Sequence, residues 1–290
     1  MKQLQILKHH RFKILILAIL FAIALSQKAY FFFITPYTDN TLEIHCLDVG
    51  QGNSTLIAGP SQMMLIDAAE QEYSDEIALY LQEMGVKKID VLVATHPHDD
   101  HIGGMADLIE QFQVGCLVLT NEKSSASAYQ DMIHAAEQYD VPMVIPQTGE
   151  SLPFSDASCT VLGPLSLNEE NSNNNSMVIR IDYGKNRFLF TGDAEKEEEL
   201  ELVQSGADLS VDFLQVGHHG SDSSSNDFFL ARVAPDCAVI SCGVANQFGH
   251  PSQQTLERLQ RWGTQIFRTD LEGTIIIVSD GQQLYRKVTQ

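Results

Sequence analysis

The sequence predicts a layered α/β domain, two β-sheets packed face to face with helices on the outside. Two observations lead there. From Pro36 onward, short apolar runs alternate with amphipathic ones at helical spacing. A segment rich in Ser and Asn at 166–175 then divides the chain into two comparable halves, each placing sheet before helix.

Strands are expected at 42–49, 54–58 and 63–67, separated by turns at Gly50-Gln51-Gly52 and Gly59-Pro60. Residues 75–84 read as a helix stopped by Gly85, followed by a strand at 89–95 and a helix at 102–112. A strand at 116–120, a helix at 127–139 and a short strand at 142–145 complete the first half. The Ser/Asn segment reads as an exposed loop. Beyond it come strands at 177–183 and 188–191, an acidic helix, a strand at 212–216, a helix, a strand at 238–242 and a helix at 252–262. Strands at 265–268, 274–279 and 283–288 close the chain.

The 290 residues carry 38 acidic and 18 basic side chains, a formal net charge of -20. Such a surface repels polyanions unless metal ions or a local basic patch reverse its field, which counts against tight non-specific nucleic-acid binding. The acidic run at 195–201 reads as a solvated helix face. Cys46, Cys116, Cys159, Cys237 and Cys242 show no metal-binding spacing and sit among strand-like apolar neighbours, so they read as buried small hydrophobes.

Residues 1–35 form a separate segment before a domain at 36–290. Lys2, Lys8, Arg11 and Lys13 precede an unbroken apolar run at 14–25, the order of charge and apolarity in an export signal. Ala24-Leu25-Ser26 offers a cleavage site, yet apolar residues resume at 29–34 and extend the run toward the ~20 residues a bilayer requires. An uncleaved anchor is favoured over a cleaved signal. The expectation is a single-pass membrane protein with its catalytic domain outside the cytoplasm, or a secreted one if the signal is removed.

The chemistry concentrates in Thr95-His96-Pro97-His98-Asp99-Asp100-His101-Ile102-Gly103-Gly104, between a strand and a helix. Three imidazoles and a carboxylate on so short a loop can converge on Zn²⁺ or, with more oxygen, Mn²⁺.

This stretch resembles the His-x-His-x-Asp-His hallmark of the metallo-β-lactamase superfamily. Further motifs follow the same family order: Leu47-Asp48-Val49-Gly50-Gln51-Gly52-Asn53-Ser54, Leu65-Ile66-Asp67, Thr191-Gly192-Asp193, Val216-Gly217-His218-His219-Gly220-Ser221, Phe248-Gly249-His250-Pro251-Ser252 and Arg268-Thr269-Asp270-Leu271-Glu272-Gly273. The series is similar to the hydrolase domain of ComEC-type DNA-uptake proteins and its stand-alone relatives. It implies the αββα sandwich of that superfamily and two divalent metal ions. His96 and His98 would hold one ion, Asp100 and His101 the other, and Asp193 would bridge both. One of His218 and His219 would complete the second site, with His218 favoured because it directly follows the strand and its glycine. Asp67 would brace the ligand loop, although a plain turn residue at a strand end would look the same.

The chain departs from the superfamily in one respect: no histidine occurs at 141–215, where a further ligand is usual, and Asn173, Asn174 and Asn175 fill that region. An amide, Asn175 among them, or a water would then complete the first site or meet substrate. His250 is expected to contact substrate or protonate a leaving group. Ser221, with Ser223, Ser224 and Ser225, would donate to a phosphate, or simply cap the following helix.

The implied activity is phosphodiester hydrolysis by a metal-bridging hydroxide, with Asp100, Asp193 and His250 as catalytic residues. Single-stranded DNA, other nucleic acid or a cell-wall polymer would supply the diester. The alternatives are an envelope esterase similar to choline-phosphate esterases, and a non-catalytic membrane-bound binding module. The chain lacks the several spanning segments of a channel, so a transport role would need a separate channel protein.

Overall fold

The computed structural model describes residues 40–287. Strands β1 (Leu42–Cys46), β2 (Thr55–Ala58), β3 (Met63–Ile66) and the short β4 (Lys88–Ile89) lead to β5 (Val91–Ala94). After them come β6 (Gln113–Val114), β7 (Leu117–Leu119), β8 (Met143–Val144) and β9 (Ser158–Gly163). The second half contains β10 (Val178–Tyr183), β11 (Asn186–Phe190), β12 (Phe213–Gln215), β13 (Cys237–Ile240) and β14 (Gln265–Arg268), and ends on β15 (Ile275–Ser279) and β16 (Leu284–Lys287). The helices are α1 (Ser74–Glu83), α2 (Asp99–Ile102), α3 (Met105–Gln111), α4 (Ser127–Gln138), α5 (Lys196–Ser205), α6 (Asp227–Val233), α7 (Gln253–Arg261) and α8 (Thr269–Glu272).

The expected two-sheet sandwich is present. One sheet has eight strands in the order β16-β15-β1-β2-β3-β5-β7-β8, and the other has six in the order β14-β13-β12-β11-β10-β9. Both are mixed: β3, β5, β7 and β8 run parallel, as do β11 through β14, while the remaining pairs are antiparallel. The last two strands return to the first sheet, where β15 pairs with β1 from Leu42↔Ser279 to Cys46↔Ile275.

Three apolar layers hold these sheets. Ile44, Val93, Ile179, Phe188, Phe213 and Val239 meet between them. Leu65 and Leu92 face outward onto Ile77, Leu108 and Met132 of α1, α3 and α4. On the other side Leu189 and Leu214 meet Leu202, Leu230 and Leu259 of α5, α6 and α7. A strand covered on both faces must be apolar throughout, which is why Val91, Leu92 and Val93 run without a polar break. The Phe188, Phe190 and Phe213 rings lie 5.7 to 5.8 Å apart and fully buried, each contributing about 1.5–3 kcal/mol by leaving water. All five cysteines are buried free thiols, as expected.

The structure corrects several local expectations. The strand β9 was not among the expected elements, although Ser158 and Thr160 alternate with buried Cys159 and Val161 as in a half-buried strand. The helix expected at 102–112 is broken at Gly103 and Gly104, where a Cβ would meet the Gln71 nitrogen and the Ala68 oxygen at 2.5 Å. The acidic run is not a solvated face: Glu198 and Glu199 are buried in α5. Burial, aided by Glu201 and Glu199, pushes the Glu198 carboxyl well up. Burial also lifts Glu199 to about 7, against the pull of Ser225 and Asn226 donors. The Ser/Asn loop is likewise not exposed throughout, since Asn173, Asn174 and Asn175 are buried. Asn174 accepts hydrogen bonds from the backbone N–H groups of Glu195 and Glu198 and so caps α5.

The expected signal or anchor at 1–35 lies outside the described residues. Among the described residues no helix is long and apolar enough to cross a membrane.

Candidate metal centre

The loops that follow the C-terminal ends of β5, β11, β12 and β13 converge at one end of the sandwich, where parallel strands characteristically present ligand sites. The His96–His101 loop is tied down by backbone bonds. Asn53 N–H donates to the Asp100 carbonyl at 3.0 Å, Ala68 N–H to that of His101 at 2.6 Å, and Gly104 N–H to that of Ala69 at 3.2 Å. A Cβ on Gly52 would lie 2.7 Å from the Asp100 carbonyl. The glycine motif near the N-terminal end of the domain thus exists to let two loops touch.

Asp100, His101, Asp193 and His219 form a cluster whose ligand atoms all lie within 4.8 Å of one another. His219 donates from Nδ1 to the Ser241 carbonyl at 3.0 Å, which leaves the Nε2 lone pair facing Asp100 Oδ2 at 3.1 Å and Asp193 Oδ2 at 3.6 Å. His101 is held from behind by Asp67, Nδ1 to Oδ2 2.7 Å. Asp67 also accepts from the Thr95 N–H and hydroxyl. Asp67 thus ties the His101 ring to the backbone at Thr95.

The other two motif histidines meet beside this cluster, the His96 ring 4.2 Å from that of His101. His96 Nε2 lies 3.0 Å from His98 Nδ1 and 3.9 Å from Asp193 Oδ2. The carboxylate of Asp193 is approached by His96, His101 and His219, and its backbone N–H is anchored on Ser176 Oγ at 2.9 Å.

His218 and His219 occupy different places. The sequence favoured His218 for the second site, whereas the structure brings His219 into the four-residue cluster. His218 Nδ1 pairs with Glu195 Oε1 at 2.9 Å, and its Nε2 lies 3.8 Å from Asp193 Oδ2. Both residues have positive φ, 49° and 52°, a costly conformation for non-glycine residues that concentrates at functional sites. It turns two adjacent side chains toward the same carboxylate.

Charge is balanced within the cluster. Burial opposes the charged form of His101, but Asp193, Asp67 and Asp100 hold it well above the usual histidine range. Burial and His101 push His96 well below it. Asp193 stays well below the carboxylate range because His101 and His219 outweigh its desolvation. The hydrogen bond from His218 holds Glu195 down to about 2.

The residues fit a cation. His101 Nε2 and Asp193 Oδ1 face each other at 3.1 Å as a buried ion pair and have no other partner among the described residues. A divalent ion would satisfy both.

The remaining predicted residues divide. His250 lies beside the site, 5.5 Å from the His218 ring and stacked at 6.4 Å on that of His219. Asn246 clamps it, accepting from its N–H and donating to its carbonyl, and the exposed Phe248 ring stacks on it at 5.8 Å. Ser221 Oγ contacts Ser223 Oγ at 2.9 Å and approaches His218 only through Ser223. Asn175 is turned away: its carbonyl accepts from Asn168 N–H and its amide donates to Glu122 and the Asn168 carbonyl. The sequence reading missed Glu195 and Ser176. Only the place of Glu195, two residues after Asp193, hinted at its contact with the site. An open cleft of about 480 Å³ leads away past His98, Asp99, Asp100 and Glu122, and among the described residues neither Lys nor Arg lines it.

Comparison with known proteins agrees with this geometry. A model of the metallo-beta-lactamase superfamily matches residues 47–244. ComE operon protein 3 of Bacillus subtilis is 32% identical over 264 residues, covering 85% of this chain and 34% of that protein. Recombination protein 2 of Haemophilus influenzae is 30% identical over 240 residues, covering 81% and 28%. The chain thus spans about a third of the length of these relatives. The metallo-beta-lactamase fold protein YhfI from Bacillus subtilis superposes with a TM-score of 0.57 at 11% identity, over 82% of this chain and 100% of that one, a likeness of fold.

Proposed function

Because the chain belongs to the metallo-beta-lactamase superfamily, with the metal-dependent hydrolase fold, we propose that it is a phosphodiesterase working at the cell envelope. The observation that carries this reading is the convergence of Asp100, His101, Asp193 and His219, whose ligand atoms lie within 4.8 Å of one another. Zn²⁺ or Mn²⁺ held there would supply an acidified water at neutral pH and offset the charge that develops on phosphoryl oxygens.

The protein's part is to position. Asp193 sets the spacing between the two ligand groups, and Asp67 and Ser241 fix the ring orientations of His101 and His219. Burial, with His218 and His219 alongside, pulls His250 below the usual histidine range. At neutral pH it is then a neutral imidazole, suited to donate one hydrogen bond to a phosphoryl or leaving-group oxygen.

The likeness to ComE operon protein 3 and Recombination protein 2 favours a nucleic-acid diester and an envelope location for this chain. The acidic cleft favours the second reading, a compact diester such as a wall polymer presents, because a polynucleotide is held through cationic contacts to its phosphates. Turnover of bis(p-nitrophenyl) phosphate by the metal-loaded protein tests the proposal. Asp193→Ala is expected to lose it by at least about 100-fold. Equal rates in the two proteins, or no turnover of this diester, single-stranded DNA or RNA by the wild type, would sink it.

A further inference from the structure

Glu195 and the two adjacent histidines define a ligand arrangement that the loss of the usual third histidine makes necessary. We propose that His218 is a ligand of the first metal ion, completing a set with His96, His98 and Asp193, while His219 serves the second ion with Asp100, His101 and Asp193. This rests only on the metal-binding half of the functional reading and is independent of which substrate is cleaved.

The atoms point this way. His218 Nδ1 is committed to Glu195 Oε1 at 2.9 Å, so its proton sits there and the Nε2 lone pair is free, 3.8 Å from Asp193 Oδ2. His96 Nε2 approaches the same oxygen at 3.9 Å and His98 Nδ1 at 3.0 Å. A carboxylate behind a histidine is the usual means of aiming a metal-binding ring.

Glu195 is itself held in place. Asn173 Nδ2 donates to its Oε1 at 3.0 Å and Asn171 Nδ2 to its Oε2 at 2.9 Å. The asparagine-rich segment that stands where a histidine is usual therefore acts at one remove, orienting a ligand that arrives from another loop. Consecutive left-handed residues at 218 and 219 bring neighbours in sequence to one carboxylate, His218 Nε2 at 3.8 Å and His219 Nε2 at 3.6 Å from Asp193 Oδ2. Three nitrogens and one oxygen suit Zn²⁺ at the first position, whereas the second position is richer in oxygen.

Zinc stoichiometry of the full-length protein, measured by elemental analysis after equilibration with Zn²⁺, tests the assignment. Wild type is expected to hold two ions, and His218→Ala and His219→Ala one each. The combination H98A/H218A should still hold one, because both changes empty the same position, whereas H218A/H219A should hold none. Glu195→Gln, which leaves every ligand in place, should weaken one ion by about 10–100-fold in chelator competition and leave the other unchanged. Circular dichroism guards against unfolded variants. Two tightly held ions in H218A, a single ion in wild type, or the loss of both ions in H98A/H218A would overturn it. Each outcome is read in bound metal, so it stands apart from the phosphodiesterase assay.

Discussion

Asp67 adopts a positive φ of 60° so that one carboxylate can receive Thr95 N–H, the Thr95 hydroxyl and His101 Nδ1. Removing it frees the His101 ring and leaves buried donors unpaired. Asp67→Ala should lower metal affinity by about 10–100-fold, measured by competition with a coloured chelator. An unchanged affinity would reduce Asp67 to a turn residue. At this scale the motif was legible in the sequence: His96, His98, Asp100 and His101 lie on one loop, and their chemistry is local. What escaped was anything set by the paths of other loops. Adjacent histidines in an extended chain point apart, so nothing in the sequence said that left-handed turns would bring both His218 and His219 to Asp193. Glu195 was hidden by the acidic run that contains it.

The helix α5 shows the same limit for an element. Its glutamates read as a water-facing stripe, but the first turn is pressed against the second sheet, and Glu198 is buried there near the carboxylates of Glu201 and Glu199. Glu198 keeps a proton in the folded chain that it releases in the unfolded one. The folded state therefore binds more protons above the ordinary glutamate range, and stability falls as pH rises through that range toward the raised value. Glu198→Gln should remove this fall. Urea unfolding at pH 5 and pH 8 is expected to show wild type losing more stability between the two than the variant does. Parallel losses would mean that the group finds a partner. The asparagine cap on the same helix predicts a smaller effect: Asn174→Ala should cost about 1 kcal/mol in the same assay.

For the molecule as a whole, the layered architecture was readable because continuous apolar strands and amphipathic helices alternate. Strand order was not, since pairing between distant segments leaves no mark on local pattern. The candidate metal centre draws on both sheets, with Asp100 and His101 from the first and Asp193 and His219 from the second. Bound ions should brace one against the other. At free Zn²⁺ about 1,000-fold above its dissociation constant, binding stabilises by about 4 kcal/mol, so chelation should lower the melting temperature by on the order of 10 °C. A melt unaffected by chelator would show that no ion is bound in the folded state.

The return of β15 to β1 sets the order in which this protein can be made. The strand β1 leaves the ribosome ahead of the other described strands and, although β2 covers one of its edges early, the other edge waits for residues 275–279. During synthesis the first sheet therefore carries an open hydrogen-bonding edge beside an apolar face, a template for pairing with the wrong chain. Contacts so distant in sequence also close slowly, so refolding from urea should depend steeply on protein concentration, with aggregation competing until the final hairpin docks.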